Sequence, residues 1–251
     1  MSVPRETPVL ELRGVSKRFG ATPVLQNLSL SLEHRKVTAI VGASGCGKST
    51  LLKLCNGLVE PDEGEVRAFG EVLAKDRELA LRRRMGYAVQ GSGLFPHLTA
   101  RGNITLAAKL ARWSDSEITA RLDELLSLMH LERTLLDRHP HELSGGQQQR
   151  VGLCRAMMLR PEVLLLDEPF AAIDPITRYD IHRQLQELLA VEPAAVLLVT
   201  HDMREAMQLA QRIVVLDRGG VCADAATVRL RERSPDLEPE ALLQQLMAGL
   251  D

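Results

Sequence analysis

No long apolar run interrupts this sequence. The longest, VLLL at 163–166 and AAVLLV at 194–199, fall far short of the roughly 20 residues that span a bilayer, so the chain does not cross a membrane by itself. The amino terminus, MSVPRETPVLEL, has none of the apolar core that a signal peptide carries. Neither sign of charge prevails: 31 Lys and Arg against 33 Asp and Glu leave a net charge of -2 with His neutral. The two signs are interspersed, with no basic arm or block, which argues against nucleic acid as a partner. Cysteine is scarce, four residues at 46, 55, 154 and 222, and no C-x-x-C pair occurs. That removes the usual zinc and dithiol patterns and leaves small buried side chains in a reducing compartment. Repeats and low-complexity segments are absent as well.

What is present suits a folded domain. With 251 residues and 45% hydrophobic composition, the chain can bury a core as one large domain or a domain with a lobe. VLELRGVSKRF and VLQNLSLSL alternate apolar and polar residues, as half-buried strands do. VTAIVG at 37–42 reads as a buried parallel strand. A helix follows from Lys48, burying Leu51, Leu52 and Cys55, with Gly57 as its stop. PDEG at 61–64 turns into another strand, and MGYAVQ at 85–90 is one more. From about 91 to 159 the pattern becomes helical, with a Ser114/Glu117 capping box ahead of the stripe Ile118, Leu122, Leu125 and Met129. VLLLD, AAVLLVT and RIVVLD then alternate with helices after Asp174 and Asp202, and a tail helix carries Leu242, Leu243 and Leu246. This order predicts a parallel α/β sheet with a helical lobe inserted into it.

GASGCGKS, residues 42–49, fits G-x-x-x-x-G-K-[ST] between a predicted strand and helix. Its glycines let backbone N–H groups converge on phosphate oxygens, Lys48 brings a cation, and Ser49 a hydroxyl ligand for Mg²⁺. The nearby positive helix end predicts thiolate character for Cys46. Asp167 and Glu168 close the strand VLLLD, where open α/β sheets bind ligands. Asp167 is expected to orient the waters of Mg²⁺, and Glu168 to polarise an attacking water. Adjacent strand residues face opposite ways, hence the two roles. Gln90, at the end of a strand, reaches for Mg²⁺ or water, and His201, after AAVLLVT, for a γ-phosphate. HELSGGQQQR at 141–150 poses a puzzle. Ser144, Gly145, Gly146 and Gln147 open a helix as an anion nest does, but no lysine is present.

Taken in order, GASGCGKST, Gln90, LSGGQ, VLLLDEP and His201 resemble the motifs of ATP-binding cassette (ABC) ATPases. The resemblance implies the fold class α/β: a P-loop NTPase with a parallel core sheet, an N-terminal antiparallel β-subdomain and an inserted α-helical subdomain. It implies a single domain over 1–251, with 1–90 and 160–251 as ATP-binding core and 91–159 as helical subdomain; many betaine-type members carry a C-terminal regulatory extension, and in a departure from them no C-terminal regulatory domain is expected here. Phe19 matches the aromatic that stacks on adenine. Gly42, Ala43, Ser44, Gly45, Cys46, Gly47, Lys48, Ser49 and Thr50 match the ATP loop. Ser49, Gln90 and Asp167 (through water) match the Mg²⁺ ligands, and Glu168, His201 and Gln90 the catalytic group. AAID at 171–174, with Asp174, matches a loop that crosses to a second subunit. In that family LSGGQ binds ATP held by the other subunit, which resolves the puzzle: two chains head-to-tail complete two sites, as C₂ symmetry allows.

The expected partners are a second copy or a related ATPase subunit, integral membrane permease subunits, and, indirectly, a solute-binding protein. The expected place is peripheral, on the cytoplasmic face of the membrane. GSGLFPHLT at 91–99 resembles an importer loop that meets the membrane subunit, with Leu94 and Phe95 exposed. DEPFAAIDPITR resembles the ATPases of osmoprotectant importers for glycine betaine, choline and other quaternary amines. Ala171-Ala172-Ile173 departs from their usual Gly-Ala-Leu. The alternatives are an importer ATPase for another small solute such as an amino acid, or a soluble nucleotide switch on a non-transport partner.

Overall fold

A computed structural model describes residues 7–74, 78–171, 173–234 and 237–248. Along the chain run β1 (Leu10–Phe19), β2 (Thr22–Leu32), β3 (Val37–Val41), α1 (Lys48–Cys55), β4 (Glu63–Ala68), β5 (Glu71–Val72), α2 (Glu78–Arg82) and β6 (Met85–Ala88). Next come α3 (Ala100–Leu110), α4 (Asp115–Leu128), α5 (Gly145–Met157), β7 (Val163–Asp167), α6 (Pro175–Val191) and β8 (Ala195–Thr200). The chain finishes with α7 (Met203–Leu209), β9 (Arg212–Asp217), β10 (Gly220–Ala226), α8 (Thr227–Arg233) and α9 (Pro239–Met247). By contact density it divides into two compact units, Met1–Arg82 with Ala195–Asp251, and Arg83–Ala194.

The first unit holds an antiparallel sheet in the order β2-β1-β4-β5, and the strand run β10-β9-β3-β8. β3 pairs in parallel with both β8 and β9, and β10 returns antiparallel on β9. Ala39, Ile40, Val41 and the whole of β8 are buried, which is why they read as unbroken apolar runs. Ala39, Val41, Ile213 and Val215 pack with Met203 and Ala206 of α7 and with Leu242 of α9, while Leu243 and Leu246 cover the cluster partly. The expected tail helix thus docks by the leucines that marked it. α1 ends at Cys55, and Gly57 takes φ +70 just beyond it, the left-handed stop read from the sequence.

In the second unit β6 and β7 pair in parallel. The Ser114/Glu117 capping box forms at the start of α4, whose Ile118, Leu122 and Leu125 are buried. Arg121 is buried among them. Its guanidinium donates to Met157 O at 2.7 Å and Met158 O at 3.3 Å, at the end of α5, and to Glu192 Oε2 at 2.6 Å. The helical reading from residue 91 needs one correction. Residues 91–99 have no helix, because Gly91 and Gly93 take positive φ and Pro96 follows; the first helix of the lobe starts at Ala100. The expected α/β class with parallel core strands, an antiparallel β-sheet and inserted helices is what the chain adopts.

Candidate functional site

In the first unit, β3 feeds directly into the loop 42–49. A Cβ on Gly42 would stand 2.1 Å from Leu216 O, so this residue must be glycine for the loop to lie against β9. Gly47 is the N-cap of α1 at φ +107, with Val24 O only 2.9 Å from where a Cβ would be. The Lys48 side chain, 5% exposed, turns back over the loop and donates to Gly42 O at 2.7 Å and Ala43 O at 2.8 Å. Ala43, Ser44 and Gly45 are exposed, and Ser49 and Thr50 half-buried. The first turn of α1 carries no acidic residue, so the positive end of its dipole is not offset there. Cys46 departs from expectation: burial pushes its thiol up, and the opposing pull of Lys48 is the smaller cause. Phe19, at the end of β1, is 53% exposed, with Lys17 Nζ 5.7 Å from its ring centroid.

β8 lies beside β3 with Val41 opposite Thr200. The parallel register therefore releases Gly42 and His201 from neighbouring strand ends, and His201 is exposed. The turn that carries His201 is fixed: Thr200 Oγ1 bonds the buried Glu205, Asp202 N–H donates to Thr200 Oγ1 at 3.0 Å, and Asp202 Oδ1 caps α7 by accepting from Arg204 N–H at 2.8 Å.

The second unit brings Gln90 and Glu168 together. Gln90 Nε2 donates to Glu168 Oε2 at 3.2 Å. Gln90 lies two residues past β6 rather than at its end. Asp167 closes β7 and is buried at 4% exposure; burial, with the Asp167 charge adding to it, pushes Tyr87 up to about 12. Strand alternation does not govern both acids, because only Asp167 belongs to β7. Glu168 has left the strand and takes φ +43, a left-handed turn that aims its carboxylate by backbone conformation.

Ser144 is the N-cap of α5. Its Oγ accepts from Gln147 N–H at 3.3 Å, and Gln147 Oε1 accepts from Ser144 N–H at 2.9 Å. The pair is a reciprocal capping box, in which Gln147 Oε1 holds the helix start. Ser144 and Gly145 are exposed and Gly146 is buried. Asp174 caps α6 by accepting from Thr177 N–H at 3.0 Å, and Arg178 donates to Ile173 O at 3.0 Å. Of the expected crossing stretch, Ala172 lies outside the described residues.

Several residues beside these motifs escape motif reading. Asn103, fully buried in α3, accepts from Phe95 N–H at 2.7 Å and donates to Phe95 O, Leu98 O and Thr99 O. It pins the loop 95–99. Arg155 of α5 donates to Gly93 O at 2.8 Å and sits 5.7 Å from the centroid of Phe95, which is 42% exposed; Leu94 is half-buried. Ser92 Oγ donates to Gln148 Oε1 at 3.0 Å. A polar residue amid an apolar helix face, Asn103 beside Ile104, was the one available signal.

Against known proteins, the family profile described as "ABC transporter" matches residues 25–171. The glycine betaine uptake system ATP-binding protein YehX of Escherichia coli (strain K12) is 46% identical over 213 residues, 85% of this chain and 69% of that protein. The choline transport ATP-binding protein OpuBA of Bacillus subtilis (strain 168) is 42% identical over 214 residues. This chain spans 56% of the latter's length. Among solved structures, the dimeric post-hydrolysis state of the ATP-binding cassette MJ0796 bound to ADP and Pi superposes with a TM-score of 0.79 and 33% identity, over 87% of this chain and 98% of that one. A structure of the ATP binding subunit of an ABC transporter gives a TM-score of 0.82 and 30% identity, covering 95% of this chain and 99% of that one.

Proposed function

Because the chain belongs to the ABC transporter ATP-binding family, we propose that it is the ATP-hydrolysing subunit of an importer, closing on a second copy around two ATP. The observation that carries this reading is the division of labour between two loops. Loop 42–49 has a buried lysine and an uncompensated helix start. The α5 start exposes Ser144 and Gly145 with no acidic residue in its first turn and no cation of its own. A nest of that kind gains only about 0.3–2 kcal/mol from its helix end, so it serves best where another surface supplies the phosphate.

The roles follow from the chemistry of each group. Lys48 neutralises β- and γ-phosphate charge, the amides of residues 42–50 cradle their oxygens, and Phe19 offers a face to adenine. Glu168, aimed by its left-handed backbone and bonded to Gln90, polarises the attacking water. His201, on its braced turn, hydrogen-bonds the γ-phosphate and so distinguishes ATP from ADP. The donor types suit Mg²⁺: a hydroxyl (Ser49), an amide (Gln90) and a buried carboxylate (Asp167) are each oxygen donors of the kind that a hard cation takes alongside water and phosphate. When bound, that ion neutralises phosphate charge. Charge-assisted hydrogen bonds contribute roughly 1.5–3 kcal/mol each, so about two to four of them, shared between two bridging ATP, supply the ~5.5 kcal/mol that turns a mostly open pair into a mostly closed one.

No helix among the described residues is long and apolar enough to cross a membrane, so transport requires separate permease subunits, docked near loop 91–99 where Phe95 is exposed. The pair then sits peripherally on the cytoplasmic face. The proposed solute is a quaternary amine such as glycine betaine or choline, which the names of the two relatives support. Affinity capture from detergent-solubilised membranes tests this. A polytopic partner together with betaine-stimulated ATPase activity in reconstituted vesicles is the expected result. A ribosomal or DNA partner favours the nucleotide-switch alternative, and stimulation by an amino acid alone reassigns the solute.

A further inference from the structure

Gly146 differs from its neighbours Ser144 and Gly145 in being buried, and what buries it is the first turn of α6. A Cβ on Gly146 would stand 2.4 Å from Thr177 Cγ2 and 3.8 Å from Ile181 Cδ1. Thr177 has little freedom to give way. It is β-branched and helical, which narrows its rotamers. Its N–H donates to Asp174 Oδ1 at 3.0 Å, and its side chain is hydrogen-bonded to the same carboxylate. With the hydroxyl engaged there, the methyl is the group turned to Gly146. The contact continues along the helix pair, where Arg150 Nε donates to the buried Gln184 Oε1 at 2.8 Å.

We infer that Thr177 is a positioning residue: its methyl against Gly146 sets the angle at which the exposed Ser144–Gly145 start of α5 is presented, and its bonds to Asp174 tie that angle to the crossing loop. The two stretches that face a second copy then move as one body. The glycine is demanded by packing inside one chain and not solely by the close approach of a phosphate. This inference rests on the proposed ATP-driven pairing.

The test compares wild type, Gly146→Ala, and Gly146→Ala with Thr177→Ser. Serine keeps the hydroxyl bonded to Asp174 and removes only the methyl. Gly146→Ala should cost about 10²-fold in kcat, the scale of a misplaced group, and should abolish the ATP-held pair read by size exclusion in a Glu168→Gln background. Adding Thr177→Ser should recover most of both losses, whereas Thr177→Val, which keeps a methyl in that place, should recover neither. If the Ser double variant is as inactive as Gly146→Ala, or if Gly146→Ala equals wild type, the inference is overturned. If wild type itself neither hydrolyses ATP nor pairs, the functional reading fails instead. The packing is then still read by thermal unfolding: a midpoint lowered by Gly146→Ala and restored by Thr177→Ser supports it, and an unmoved midpoint refutes it.

Discussion

Lys48 is the cation that reaches loop 42–49, and its ammonium already lies over the carbonyls of Gly42 and Ala43. Lys48→Ala should therefore reduce ATP hydrolysis by about 10²–10³-fold, the scale of losing one preorganised charge donor; hydrolysis near wild type would remove Lys48 from the phosphate site. Glu168→Gln should lose about 10²–10⁴-fold in turnover, as for a missing general base, while still pairing on ATP, read as a stable dimer by light scattering. The cysteines answer to burial. Cys46, raised by burial, is protonated at neutral pH, and its thiolate appears only as pH climbs past the ordinary cysteine range. Maleimide at pH 7 should label the exposed Cys222 first, a phase that Cys222→Ser removes; rapid labelling of Cys46 at that pH would contradict its burial.

At the scale of elements, strand and helix order was largely legible, because apolar runs and caps are local signals. Ser114 and Glu117, Gly57, and the helix start after Asp174 all fall where the sequence placed them. The helical pattern was drawn about nine residues too early: Gly91, Gly93 and Pro96 break it locally, and how the resulting loop is held was not legible, because Asn103 acts on it from the next helix through its side chain. Arg121 was equally opaque: one charge beside the stripe Ile118, Leu122 and Leu125 reads as a solvated residue, yet it is buried on the last carbonyls of α5. Arg121→Ala removes the guanidinium from Glu192 and from the carbonyls of Met157 and Met158, of which Met157 O keeps the Arg160 N–H. It should destabilise the chain by about 3–5 kcal/mol, the scale of breaking a buried pair, as measured by urea unfolding. A loss under about 1 kcal/mol, the worth of an exposed pair, would mean that water replaces it.

For the whole molecule, the residues proposed to bear the chemistry were legible as motifs, but their backbone conformations and bonds were not. The sequence placed Glu168 next to Asp167, whereas the left-handed backbone that Glu168 adopts is seen only in three dimensions. Likewise the motif did not show that Gln147 Oε1 accepts from Ser144 N–H and so caps α5. A two-chain reading makes its own prediction. Lys48→Ala chains and Ser144→Arg chains, each inactive alone, should regain up to half the activity per mixed pair, because one of its two sites keeps both intact loops. Mixed pairs that form, as shown by cross-linking, without any gain in hydrolysis would count against sites built by two protomers.

β3, which launches loop 42–49, takes its sheet neighbours from β8 and β9, made long after it. During synthesis the ribosome will have delivered the whole nucleotide motif well before the strand beneath it has anything to lie beside. A nascent chain arrested after residue 194 should thus carry the complete loop and retain no ATP on an affinity resin, whereas arrest with residue 217 clear of the exit tunnel should restore capture. Nucleotide competence in this protein is acquired late, as a consequence of topology.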